Sequence, residues 1–289
     1  MPNTIFVGNG VNRLGHAASW KDVLRRLAGY VGKTDLILRG IENKPFTLVF
    51  EEIYLRSARA RGTKEIDLKR EAAGLIDAIP NNECHRRLLN IGTRHIITTN
   101  YDYNLESSAH SQHRAASLRR ETKYSLFRRR SVGSQFLWHI HGESRSPNSL
   151  ALGHDHYSGS LHHIRDYLVT RSARSKVKAS PFMSGIRDFD SSYGEYSWLD
   201  VFLRDDIHII GFSMDYTEIE LWWLLSFKAR QSLKGLKVGE TIYYYREPRR
   251  PDPRLSAKLA ILQSFGVVPR RLSGDSYEEG YSAFADSFV

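Results

Sequence analysis

Arg94-His95-Ile96-Ile97-Thr98-Thr99-Asn100-Tyr101-Asp102 is the stretch whose reading decides the fold. It opens as a short apolar, β-branched run, which predicts a buried strand. It closes on the polar groups Thr99, Asn100 and Asp102, and Asn104-Leu105-Glu106 is placed to start a helix. Strands that alternate with helices build a parallel sheet covered on both faces. Ligands of such sheets bind just beyond the carboxyl ends of the strands. Asn100 and Asp102 therefore mark a candidate site, provided other strand ends converge on it.

Upstream, Thr4-Ile5-Phe6-Val7 predicts a strand that runs into Gly8-Asn9-Gly10-Val11-Asn12-Arg13-Leu14-Gly15. Glycines after a strand allow backbone N–H groups to approach a pyrophosphate. The third glycine comes two residues later than in the dehydrogenase fingerprint G-x-G-x-x-G, so the loop points to a dinucleotide but away from hydride transfer. Ser19-Trp20-Lys21-Asp22 reads as a capped helix start. Residues 45–57, 65–79 and 81–90 carry apolar positions at helical spacing. Residues 34–90 are thus expected to be a helical layer inserted after the first strand–helix unit, far more chain than a simple crossover uses.

Downstream, the chain is strongly basic at Arg114, Arg119, Arg120, Lys123, Arg128, Arg129 and Arg130. Either a solvated face or a phosphate or partner contact accounts for this run. Gln135–Gly142 alternates as a strand with a polar rim, and strict alternation places His139 and His141 on one face. His154-Asp155-His156 adds a second histidine cluster. A metal reading of the four histidines is set aside, because the pairs lie on strand ends and loops and no H-E-x-x-H helix is present. Residues 161–169 read as helix, and 170–194 as a mobile basic, then Gly/Ser/Asp-rich connection. Asp206–Ile210 is a further strand ending in Gly211-Phe212-Ser213. Thr217-Glu218-Ile219-Glu220 has the form of a capping box, opening an apolar, buried helix at Leu221. Strands at 240–245 and 267–272 and helices at 252–266 and 276–287 complete an α/β pattern of one domain over residues 1–289.

Composition bounds the rest. The chain has 289 residues, 41% of them apolar, and Lys+Arg 42 against Asp+Glu 32 leaves +10. A cationic surface attracts polyanions, so nucleic acid is a candidate partner. The single cysteine, Cys84, excludes an intrachain disulfide and a multi-cysteine zinc site. There is no signal-peptide pattern and no apolar run long enough to cross a bilayer, so a cytoplasmic location without membrane attachment is expected.

In chain order, Gly8-Asn9-Gly10, Thr99-Asn100-Tyr101-Asp102, His139-Ile140-His141-Gly142 and Gly211-Phe212-Ser213 resemble the motifs that surround NAD in the sirtuin superfamily. The four-cysteine module of sirtuin protein deacylases cannot form here. The wider pattern, with Leu152-Gly153-His154-Asp155-His156-Tyr157, looks more like the bacterial sirtuin-like NAD hydrolases of anti-phage defence. The resemblance implies a Rossmann-like parallel sheet and NAD as substrate, with no metal. It also implies homo-oligomers, NAD depletion on activation, and a regulatory partner such as a HerA-type ATPase.

The chemistry is arguable from the residues. Nicotinamide leaves NAD+ as a neutral base, so cleavage needs little acid catalysis. It needs a stabilised oxocarbenium-like ribose and an activated water or hydroxyl. A neutral histidine suits general-base work and an asparagine holds hydroxyls without adding charge. His141 is assigned as base and Asn100 as the ribose or water positioner. Asp102, by similarity to the family's T-x-N-x-D segment, accepts from the carboxamide, with Thr99 beside it. Gly8, Asn9 and Gly10 face the pyrophosphate, and Gly211 with Ser213 the adenosine half. His139 reads as a strand-face or supporting histidine. His154 and Asp155 either support the site or bracket a loop contact. An NAD+ glycohydrolase is thus expected. A zinc-free deacylase and a non-catalytic subunit binding nucleotide or nucleic acid through the 114–130 and 171–178 runs are the alternatives.

Overall fold

The computed structural model describes residues 1–14, 19–32, 34–109, 113–115, 123–169, 180–192 and 195–288. Its frame is one sheet with strands β1 (Asn3–Val7), β2 (His95–Thr98), β3 (His113–Ala115), β4 (Arg129–Val132), β5 (Gln135–His139), β6 (Asp206–Ile210), β7 (Thr241–Tyr245) and β8 (Val267–Arg271). The order is β3-β4-β5-β2-β1-β6-β7-β8. From β5 to β8 all neighbours are parallel, the doubly wound Rossmann arrangement, and strand addition changes direction at β1. β3 and β4 extend the β5 edge as an antiparallel hairpin.

The apolar runs form these strands because both faces are covered. Ile5, Val7, Ile96, Leu137 and Ile210 point into one core, and Phe6, Ile97, Trp138 and Ile209 into the other. The register then places the site. Val7 pairs with both Thr98 and Ile210, and Thr98 pairs with His139. Four neighbouring strands therefore end level, and the polar residues that follow them open onto common ground.

The helices are α1 (Trp20–Tyr30), α2 (Thr34–Leu38), α3 (Phe46–Arg61), α4 (Glu65–Asp77), α5 (Glu83–Asn90), α6 (Asn104–Ser107), α7 (His154–Leu168), α8 (Phe189–Ser192), α9 (Trp198–Arg204), α10 (Ile219–Leu233), α11 (Pro253–Ser264) and α12 (Tyr277–Asp286). α7, α9 and α10 cover one face of the sheet, and α5 and α12 the other. Helices α1 to α4 pack round a core of their own, with Leu24, Leu27, Val49, Phe50, Ile53, Leu68 and Ala72, joined by Leu150 and Leu152. The helical region at 34–90 is therefore divided. α2 to α4 recruit α1 into a separate cluster, whereas α5 belongs to the sheet.

Several local expectations shift. α7 starts at His154, ahead of the helical reading at 161–169. Within 170–194, residues 180–192 include α8, whose Asp190 bonds His95 (3.1 Å) and Arg204 (2.8 Å). Residues 170–179 and 193–194, and with them the basic run at 171–178, lie outside the described residues. So do Gly15, Arg119 and Arg120. The β4 hairpin escapes periodicity because it is built of arginines. The Arg129 guanidinium lies over the rings of Phe136 (4.6 Å), Tyr196 (4.7 Å) and Trp138 (5.0 Å). Arg130 pairs with Glu143 at 3.4 Å. These arginines join the fold. In α10, Trp222 and Trp223 are half-buried, and Trp222 donates Nε1–H to Asp215 O (2.9 Å). No described helix is long and apolar enough to cross a membrane.

α10 also buries Lys228, whose Nζ donates to Phe202 O (2.8 Å) and Thr241 Oγ1 (3.0 Å). Burial pushes its ammonium down from 10.5 to about 7. Between these values the unfolded chain holds a proton that the folded chain has lost, so this lysine makes stability rise with pH over that window. Lys228→Met removes the effect. The variant's Tm, relative to wild type, is expected to be highest at or below pH 7 and to decline toward pH 10. A gap that does not change with pH in thermal melts would contradict this assignment.

Candidate active site

Beyond the four level strand ends lies a cleft of about 1000 Å³. This is the upper end of the size of small-molecule sites, ~300–1000 Å³. Asn9, Gly10, Thr99, Asn100, Asp102, His141, Gly211 and Ser213 all line it. Trp20 and Phe46 wall one side, and Tyr243, Arg246, Lys258 and Tyr277 the other. Of the residues expected at the site, only Gly8 lies behind the lining.

Asn100 is held by its backbone. Its N–H donates to Thr98 Oγ1 (3.0 Å), and its carbonyl accepts from His139 Nδ1 (2.9 Å). The side chain is less committed. Nδ2 reaches Gly8 O at 3.4 Å, and the buried Oδ1 has no partner. A buried amide oxygen without a donor is costly unless something supplies one. A ribose hydroxyl or a water fits that demand.

His139 and His141 have different surroundings, contrary to strict alternation. β5 ends at His139, and Gly142, at φ +109°, turns the chain. His139 Nε2 lies 2.6 Å from Glu106 Oε1, with both groups buried. Burial lowers its pKa, but the Glu106 charge outweighs this and holds the imidazolium up to about 9. With both nitrogens protonated, His139 is a fixed cation that pins Asn100 and has no lone pair to offer.

His141 Nε2 lies 2.8 Å from Glu220 Oε1 and 3.7 Å from Glu218 Oε2, and its ring meets Tyr157 edge-on at 5.1 Å. Burial lowers the His141 pKa, keeping the ring neutral, and raises both glutamates to about 8. The Thr217–Glu220 capping box is not formed. Thr217 bonds Asp215 instead, and the Glu218 side chain makes no cap bond to α10. Both glutamates turn inward, and Oε2 of each is buried without a hydrogen-bond partner. One signal for this was present. Glu220 shares its helical face with Leu224, Phe227 and Lys228, all buried. Among the described residues, His141, Glu218 and Glu220 are the group whose donor atoms, all within 4.8 Å, could hold a metal ion.

Asp102 is less free than the sequence implies. Oδ1 accepts from Asn104 N–H (3.0 Å), opening α6, and Oδ2 from Asn12 Nδ2 (2.6 Å). Burial raises its pKa. Asn12 belongs to a directed chain. His85 Nδ1 accepts from Asn82 N–H (3.0 Å), so its Nε2–H donates to Asn12 Oδ1 (2.8 Å). Nothing in the sequence marked Asn12 or His85.

The glycine loop also changes meaning. Gly8 N–H donates to Ile210 O (2.9 Å) and Gly10 N–H to Gly211 O (2.6 Å). Neither is left for a pyrophosphate. A Cβ at Gly8 or Gly10 would lie 2.6 Å from Gly211 O, so both glycines serve the contact between the β1 and β6 loops. Arg13, Lys21, Arg246, Arg254 and Lys258 line the cleft and give it the positive charge that phosphates need. Of the second histidine cluster, His154 and Asp155 are exposed and outside the cleft. His156 is buried and bonds Glu65 (2.8 Å), tying α7 to α4.

Residues 94–223 match the family model described as SIR2-like domain. Over that stretch the chain is similar to a SIR2-like domain. The match spans β2, β5 and β6 with the polar ends that follow them, and it runs through Glu218 and Glu220 into α10. The glycine loop and helices α1 to α5 lie outside it. SIR2-like domains use NAD, which accords with the width of the cleft and the open acceptor on Asn100. No curated protein matches the chain.

Proposed function

We propose that this SIR2-like chain is an NAD+ glycohydrolase, releasing nicotinamide and ADP-ribose. The observation that carries the reading is the buried, unpartnered Asn100 Oδ1 in the same cleft as His141. Asn100 receives a ribose hydroxyl or the attacking water. In the tautomer that carries its proton on Nε2, shared with Glu220, His141 keeps on Nδ1 the lone pair that takes the proton. Asp102, braced by Asn12 and Asn104, accepts from the carboxamide. Arg13, Lys21 and Arg246 offset the phosphate charge. A deacylase must admit an acyl-lysine peptide, and the α1–α4 cluster walls this cleft with Trp20 and Phe46. A nucleic-acid subunit is disfavoured by Arg129 and Arg130, which are engaged within the fold.

We assign this activity to depletion of NAD as an anti-phage effector, in homo-oligomers and under a partner such as a HerA-type ATPase. The test incubates the protein with NAD+, with and without that partner, and follows nicotinamide by chromatography. Wild type is expected to release it, and Asn100→Ala and His141→Ala are not. Equal rates in all three would end the enzyme reading.

A further inference from the structure

We infer that His141, Glu218 and Glu220 form a binding site for one divalent transition-metal ion, and that the ion switches off the base at His141. The donor set is one imidazole and two carboxylates, all buried, with ligand atoms within 4.8 Å of one another. Such a mixture of nitrogen and oxygen suits zinc and its neighbours in the first transition row. The second observation is independent of that clustering. Glu218 Oε2 and Glu220 Oε2 are buried, in residues 6% and 2% exposed, and neither has a hydrogen-bond donor. A neutral imidazole flanked by two buried carboxyl groups, each with one oxygen that no donor meets, is the pattern a cation satisfies.

Access and room are both present. His141 and Glu218 line the main cleft, which gives an ion its path. On the other side, a void of about 10 Å³ borders His141, Glu220, Ser125 and Ser160. That is about the space of one water, and it suits a fourth ligand. The Nε2–Oε1 separation of 2.8 Å needs to open by about 0.5–0.8 Å to match a tetrahedral edge set by ligands ~2.0–2.2 Å from zinc.

The consequence follows from histidine chemistry. A metal on Nε2 leaves the ring proton on Nδ1, so the nitrogen facing the reaction becomes a donor. Binding of the ion stands on geometry alone, whereas the inhibition rests on the glycohydrolase reading.

The experiment uses the full chain, freed of metal with a chelator and titrated with Co2+ as a spectroscopic probe. Wild type is expected to take up one ion per chain with the visible bands of a low-coordinate site. Glu218→Gln and Glu220→Gln, each close to its parent in volume, should each weaken uptake by at least about tenfold. If one variant fails to give a wild-type circular dichroism spectrum, the other carries the test. In parallel, nicotinamide release by wild type should fall as Co2+ saturates, and the half-inhibiting concentration should rise in the variants with the half-saturating one. No uptake at millimolar Co2+, or uptake unchanged in both variants, overturns the site. Uptake without effect on measurable NAD+ cleavage overturns the switch. Absence of NAD+ cleavage altogether removes the glycohydrolase reading and the switch with it, and leaves the ion site to be judged on uptake alone.

Discussion

Replacing Asn100 by alanine is expected to lower the turnover number for nicotinamide release by about 10²–10³-fold, the usual cost of losing one preorganised polar group at a reacting centre. The change should fall on kcat more than on KM, because positioning of the attacking water counts most in the transition state. Nδ2 is 3.4 Å from Gly8 O, and Oδ1 is unpartnered. The fold should hardly notice the truncation. Asn100 is fixed through its main chain, by Thr98 Oγ1 at its N–H and by His139 at its carbonyl. Neither bond uses the atoms removed. Relief of an orphaned buried acceptor even offsets part of the lost packing. The expected signature is therefore an inactive protein with a nearly unchanged Tm, measured by steady-state kinetics and thermal melts. A variant that keeps wild-type kcat would remove Asn100 from the mechanism.

Gly142→Ala is expected to destroy activity by a different route and to lower stability as well. Gly142 has φ +109°, which side-chain-bearing residues rarely adopt. An added Cβ would also lie 2.4 Å from Ser149 O. That carbonyl cannot easily give way. The Ser149 hydroxyl is tied to Glu143 N–H (3.0 Å) and Ser146 O (2.6 Å), and Ala151 N–H donates to His141 O (2.8 Å). The backbone must move, and His141 moves with it, off Glu220. Strain of this kind costs about 1–3 kcal/mol, which for a chain of this size lowers Tm by about 2–5 °C. Gly133→Ala is the control. Its φ of +57° is also left-handed, but nothing lies within 4 Å of the added atom. It should cost stability in the β4–β5 turn and leave nicotinamide release intact. Loss of activity in both variants alike would show that the effect at Gly142 is not local to His141.

The opening stretch shows why the site was partly legible. A run such as Ile96-Ile97 is apolar for local reasons, and the polar residues after it mark a strand end whichever strands lie beside it. The same holds for Val7 before Gly8 and Ile210 before Gly211. His141 was recognisable through the glycine that follows it. The charge on His139 and the places of Glu218 and Asn12 were not, and Glu220 showed only as an acid on a buried helical face. His139 and Glu106 are separated by 33 residues, Asn12 and Asp102 by 90, and His141 and Glu220 by 79. Such pairings exist only once strand order and register are set.

The sequence by itself determined that this chain folds as alternating strands and helices, and that Asn100, Asp102 and His141 stand at carboxyl ends of strands. Those properties depend on hydrophobic period and turn chemistry, which act over a few residues. The tertiary structure alone decided which groups remain free to act. It spent the Gly8 and Gly10 N–H groups on the β6 loop, charged His139 against Glu106, and turned a capping sequence into a pair of buried carboxyls on His141. Burial and distant partners, not residue type, set the protonation and availability of each group.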